Sequence, residues 1–177
     1  MKVTIIGTGN MARGIATRLL AGGNSVTLLG RDSTKAAELA KQLGSAATKG
    51  ASVTTPPFGS PVADEVVVLA VPYAAAAPIV QKYSDQLAGK IIIDITNPLN
   101  ATYDGLATAP DTSAAEEIAK VAPAGAKVVK AFNITFAGTL VAGRVAGQPL
   151  DVFIAGDDVK AKSVIALLVE AGGVASN

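Results

Sequence analysis

The chain has 177 residues, a net charge of +1, half of its residues apolar, and neither cysteine nor histidine. This suits one well-buried domain and excludes disulfides, thiolate metal sites and any mechanism built on an imidazole or a sulfur nucleophile. The near-zero net charge argues against nucleic acid as a main partner.

Residues 1–49 carry seven basic side chains against two acidic ones, so an anionic ligand is expected in the amino-terminal third. Val3–Ile6 reads as a short buried strand. A helix follows from Asn10 to about Ala21, with Met11, Ala12, Ile15, Ala16 and Leu19 on one face and Gly22-Gly23 as its stop. Ser25–Leu29 is a second strand, and Ser33–Leu43 a second helix ended by Gly44. Residues 45–60 read as a weak third strand or loop closing in the rigid "TTPPFGSP". "DEVVVLAVP" is a continuous apolar run suited to a strand covered on both faces. An alanine-rich helix is expected from Tyr73 to Gln86, bent near Pro78. "KIIIDITNP" is the next buried strand, and residues 97–112 form the longest loop. Ser113 and Glu116 make a capping box for a helix reaching Val121. "AKVVKAFN" and "DVFIAG" are the remaining strands, and Asp157–Ala171 is the closing helix. Residues 131–147 read as a glycine-broken apolar loop that could pack across a homodimer interface.

Strands alternating with helices of this length predict a single domain over 1–177. The fold class is α/β, a doubly wound, mostly parallel sheet of the Rossmann type. The first apolar run is too short for a signal peptide, and no stretch reaches the roughly twenty residues of a membrane span. A cytoplasmic enzyme without a membrane partner is expected.

"GTGNMA" places Gly7-x-Gly9-x-x-Ala12 between the first strand and first helix. Gly7 permits the tight turn, Gly9 lets backbone approach a pyrophosphate, and Ala12 lets helix and strand pack closely. The first-turn amides then face an anion with the helix dipole behind them. At the end of the second strand, where an NAD-binding chain keeps an acid for the ribose, stands Gly30. We read that glycine as room for a 2′-phosphate, with Arg31 as its bidentate partner and Ser33, Thr34 and Lys35 beside it. Two cations at a helix amino terminus oppose its dipole and so ask for an anion. Asp32 is two positions late for the ribose and suits a helix cap. NADP is the expected cofactor.

"MKVTIIGTGNMARGIATRL", "GRDSTK", "VVVLAVPY", "GKIIIDITNPL" and "KVVKAFN", in that order, resemble the NADPH:coenzyme F420 oxidoreductase family. The same fold unit is related to the NADPH-binding domain of membrane ferric reductases. The resemblance implies that Thr8, Gly9, Asn10 and Met11 hold the pyrophosphate and that Arg31 and Lys35 hold the 2′-phosphate, although family members often have Ser in place of Gly30. It implies that Val71 and Tyr73 line the nicotinamide half, with Asn97 and Ala137 as further contacts. Ala75 lacks the polar contact some members place there. Family chains usually continue past the last helix with a segment walling the second site; that segment is expected to be missing here.

Hydride transfer between a nicotinamide and a deazaflavin such as coenzyme F420, or a flavin, needs alignment more than acid–base help. A site without histidine is compatible with it, and the partner would be a small-molecule redox acceptor. Reduction of a small carbonyl or imine would want a proton donor. Lys130, Asn133 and Tyr73 are the weak candidates for such a role. A non-catalytic NADPH-binding module is the third possibility.

Overall fold

In a computed structural model that describes residues 1–48 and 50–177, the apolar runs become one seven-stranded sheet. Its strands are β1 (Lys2–Ile6), β2 (Ser25–Leu29), β3 (Val53–Thr54), β4 (Val66–Leu69), β5 (Ile91–Asp94), β6 (Lys127–Ala131) and β10 (Ile154–Ala155), in the order β10-β6-β5-β4-β1-β2-β3. All neighbours run parallel except β10, which lies antiparallel on β6. This is the doubly wound order with one reversed edge strand.

The helices are α1 (Asn10–Ala21), α2 (Ser33–Gly44), α3 (Tyr73–Tyr83), α4 (Ala114–Val121), α5 (Ala137–Ala142) and α6 (Val159–Ala171). Because successive strand residues face opposite ways, Ile5, Val66 and Val68 join a core with α1, α2, α5 and α6. Ile6, Val67 and Leu69 join a second core with α3 and α4. With Val66–Leu69 and Ile91–Asp94 buried throughout, these runs show no polar alternation.

Several expectations are corrected. Helix α3 ends at Tyr83, not Gln86, and a 3₁₀ turn over Ser84–Leu87 follows. The expected third strand shrinks to Val53–Thr54; Lys49 in that stretch lies outside the described residues. "DVFIAG" is not one strand but two. β9 (Asp151–Val152) pairs with β11 (Ala175–Ser176), and β10 turns to the main sheet. Short strand β11 thus follows the closing helix.

Residues 131–147 are likewise more than a loop. They hold α5 and β7 (Arg144–Val145), which pairs with β8 (Gln148–Pro149). Of the glycines in this stretch, Gly138 and Gly147 stand in open space, whereas Gly143, like Gly14 on α1, serves a close approach. A Cβ on Gly14 would lie 2.8 Å from that of Leu140, and one on Gly143 would lie 2.3 Å from Arg18 Nη1. Arg18 donates to the carbonyl of Val141 at 2.8 Å and to that of Gly172 at 3.3 Å, tying α1 to α5 and to the end of α6. Burial lowers the pKa of this guanidinium. Leu140 is thus buried within the chain, while Ile134 and Phe136 stay exposed.

Candidate nucleotide-binding site

Three strand ends converge on the first turn. The Gly7 amide donates to the Leu29 carbonyl, and that of Ala70 to the Ile6 carbonyl, both at 2.9 Å. Gly7 has φ +125°, and a Cβ there would sit 2.1 Å from the Ala70 carbonyl oxygen, so any side chain would break the convergence. Beyond it, a cleft of about 270 Å³ opens at the carboxyl ends of β1, β2 and β4. Ligands of open α/β sheets bind at this kind of crevice.

Helix α1 presents its amino terminus there. Its cap is Gly9, no side chain caps it, and its first turn holds no acid. By contrast, Asp32, Ser113 and Asp158 cap α2, α4 and α6 through side-chain acceptors. A Cβ on Gly9 would meet nothing within 4 Å. Open space over unclaimed amides fits a pyrophosphate. Thr8 and Gly9 line this cleft, while Gly9 and Asn10 line an adjoining recess of about 290 Å³ with Arg13 and Lys35. Met11 packs partly into the core from the first turn of α1.

At the end of β2, Gly30, Arg31, Asp32 and Lys35 line the cleft. Asp32 accepts from the Lys35 amide at 3.1 Å, as expected of a cap, and its carboxylate stands 3.8 Å from the Lys35 ammonium. Among the described residues Arg31 makes no ion pair. Ser33 is exposed on the first turn of α2. The reading of Gly30 as vacated space needs correction. A Cβ there would fall 2.5 Å from Thr8 Cγ2 and 3.3 Å from Ala36 Cβ, so the turn after β1 itself fills the position. Gly30 lets β2 and that turn meet; an anion beside it lies outside the glycine's own volume.

Val71 lines this same cleft. Tyr73, Asn97, Asn133, Ala137 and Lys130 lie elsewhere along the carboxyl edge. The Asn97 side-chain amide donates to the Asn133 carbonyl at 2.8 Å, joining the β5 and β6 loops. Asn133 follows Phe132, a buried residue with φ +64°, which turns the chain sharply after β6. Ala137 opens α5.

The proton-donor candidates are engaged. The Lys130 ammonium donates to Asp94 Oδ2 at 2.7 Å and to the Thr96 carbonyl. Asp94 is fully buried and also accepts from the Thr96 amide at 2.8 Å. The Tyr73 phenol donates to Glu117 on α4, and that hydrogen bond raises its pKa above the ordinary phenol value. Buried Thr96 keeps a hydroxyl with no partner among the described residues.

Sequence reasoning missed Phe58 and Ile79, which complete the apolar side of the cleft. The usable signal for Phe58 was an aromatic between Pro57 and Gly59 in a chain with only four phenylalanines.

Comparison with known proteins identifies relatives of this chain. The family model described as NADP oxidoreductase coenzyme F420-dependent matches residues 2–98. Metalloreductase STEAP3 of Rattus norvegicus is 34% identical over 97% of this chain and 32% of its own length. An F420-dependent NADP reductase of Methanothermobacter thermautotrophicus is 34% identical over 96% of this chain and 76% of its own. The chain therefore spans about a third of the first relative and three quarters of the second. A solved structure of a hypothetical protein from Sinorhizobium meliloti superposes with a TM-score of 0.86 at 27% identity, covering 100% of this chain and 83% of that one.

Proposed function

The chain belongs to the coenzyme F420-dependent NADP oxidoreductase family, and from that premise we propose that it passes hydride between NADPH and a deazaflavin, coenzyme F420, or a flavin-type acceptor. Membership makes it an NADP-dependent oxidoreductase. The observation that carries the reading is the uncapped amino terminus of α1, open above Gly9, in one cleft with Arg31.

In this reading the amides around Thr8, Gly9, Asn10 and Met11 hold the pyrophosphate, and Arg31 and Lys35 neutralise the 2′-phosphate, with the Ser33 hydroxyl beside them. A bound nicotinamide supplies the transferable hydride. Val71, Tyr73, Asn97 and Ala137 would orient that half along the sheet edge. Alignment and water exclusion are then the protein's contribution. The competing reading, reduction of a small carbonyl or imine, wants a free proton donor. The Lys130 ammonium and the Tyr73 phenol are already committed within the chain, which favours a deazaflavin or flavin acceptor, whose accompanying proton solvent can supply.

A diffusible acceptor and a cytoplasmic location go with this proposal. No helix among the described residues is long and apolar enough to cross a membrane. A homodimer would use the exposed Ile134 and Phe136.

Stopped-flow absorbance with NADPH plus coenzyme F420 or FMN tests the proposal. Acceptor reduction at the rate of NADPH loss is the expected result. Tight NADPH binding without reduction of either acceptor would instead make the chain a binding module. Turnover of an imine or carbonyl alone would establish the dehydrogenase reading.

A further inference from the structure

We propose that Phe58 is the wall against which the adenine of the cofactor packs, presented by a loop fastened from beneath; this rests on the NADP reading above. The loop between β3 and β4 carries Pro56, Pro57, Phe58 and Gly59. Two backbone donors pin it to the α3 region. The Gly59 amide donates to the Tyr83 hydroxyl at 3.0 Å, and that of Val62 to Gln86 Oε1 at 2.9 Å. Tyr83 is itself buried, so the anchor is fixed.

The Phe58 ring is held from the protein side. Tyr83 meets it edge to face at 6.1 Å between centroids, and the Lys82 ammonium stands 4.8 Å from its centre. Two prolines limit the loop's freedom before any ligand arrives. Despite these supports the ring is only partly buried. The surface left over lines the cleft, together with Arg31, Val71 and Ile79.

That set of groups suits one ligand part. Val71 and Ile79 offer apolar sides, and Arg31 offers a planar cation that can stack on a heteroaromatic ring while reaching a phosphate beside it. A purine attached to a 2′-phosphorylated ribose presents both features at once. Neither the pyrophosphate, which goes to the α1 amides, nor the redox ring, which must meet the acceptor, has use for an aromatic beside Arg31. The arrangement separates two tasks. Phe58 contributes affinity for the adenosine moiety irrespective of the 2′-phosphate, and Arg31 contributes the preference for NADPH over NADH.

Calorimetry with adenosine 2′,5′-bisphosphate, NADPH and NADH tests this on the whole chain and on Phe58→Ala and Phe58→Leu. Base–aromatic packing of this kind predicts about a tenfold rise in Kd for all three ligands in Phe58→Ala, with the NADPH to NADH ratio unchanged. Phe58→Leu, which keeps an apolar wall, should lose less, about threefold. Thermal melts report folding. A folded Phe58→Ala variant that binds the bisphosphate as tightly as the original chain overturns the proposal. If that variant does not fold, unchanged affinity in Phe58→Leu overturns it. Failure of the unsubstituted chain to bind the bisphosphate would instead remove the NADP reading beneath it.

Discussion

Arg31 and Lys130 are both cations near the carboxyl edge of the sheet, and their surroundings give them opposite duties. Arg31 is exposed at the cleft with no ion pair among the described residues, so a ligand phosphate would be its first charged partner. Arg31→Ala should weaken NADPH binding by about 1.5–3 kcal/mol, the scale of hydrogen bonds to charged groups, and NADH much less. Calorimetry that gives equal losses for both would separate Arg31 from the 2′-phosphate. Lys130 is committed to Asp94, which is 0% exposed. Lys130→Met strands that buried carboxylate and should cost about 3 kcal/mol of stability or more, read from the urea midpoint. Adding Asp94→Asn should recover part of the loss, since the uncompensated charge is then gone. At this scale the cation after β2 was legible, because its identity and its distance from the glycine turn are local facts. The occupant of the Gly30 position was not, because Thr8 reaches it from the turn after β1.

Helix α1 shows how an element is positioned from the end remote from its function. Its amino terminus faces the cleft, and its carboxyl terminus is pressed against α6. A Cβ on Gly22 would lie 2.7 Å from the carbonyl carbon of Ala171, and one on Gly172 would lie 2.7 Å from the Arg18 carbonyl oxygen. These contacts are with backbone, which cannot rotate aside. Gly172→Ala should therefore destabilise the fold by about 1–3 kcal/mol, as overpacking does, with a lowered Tm. Its Kd for NADPH should stay near the original, since the amide cradle lies at the other end of α1. A large Kd change would show that the seat of α1 on α6 sets the cradle's geometry. The existence of α1, α2 and α4, and the buried face of α1, followed from apolar spacing and caps. Helix α5 did not, because six residues give too few turns for a periodicity, and its stability comes from packing on Gly14 and Arg18.

For the whole molecule, pH acts on both flanks of the stability curve. The pKa of Asp158 is lowered by the Ala161 amide that it caps, and that of Glu116 by its hydrogen bond with Ser113. Depressed carboxyl groups stabilise the fold above their ordinary range, and the gain is lost as pH falls through their lowered values. The Tyr73 phenol is raised by its bond to Glu117, so its contribution is complete below the ordinary phenol value and lost as pH rises through the raised one. Denaturant midpoints should accordingly fall at both extremes. Tyr73→Phe should flatten the alkaline decline, and Asp158→Asn the acid one. An unchanged pH profile in either variant would remove that group from the account. By itself the sequence determined the parallel sheet, the glycine turn after β1 and the cation after β2, since the strand runs, the glycines and the cation are each written in residues a few positions apart. Only the tertiary structure decided that Lys130 is bound to Asp94, 36 residues away, that Phe58 lines one cleft with Arg31, and that a short strand follows the last helix. Those outcomes depend on which segments the folded sheet brings side by side, and neither periodicity nor local propensity carries that information.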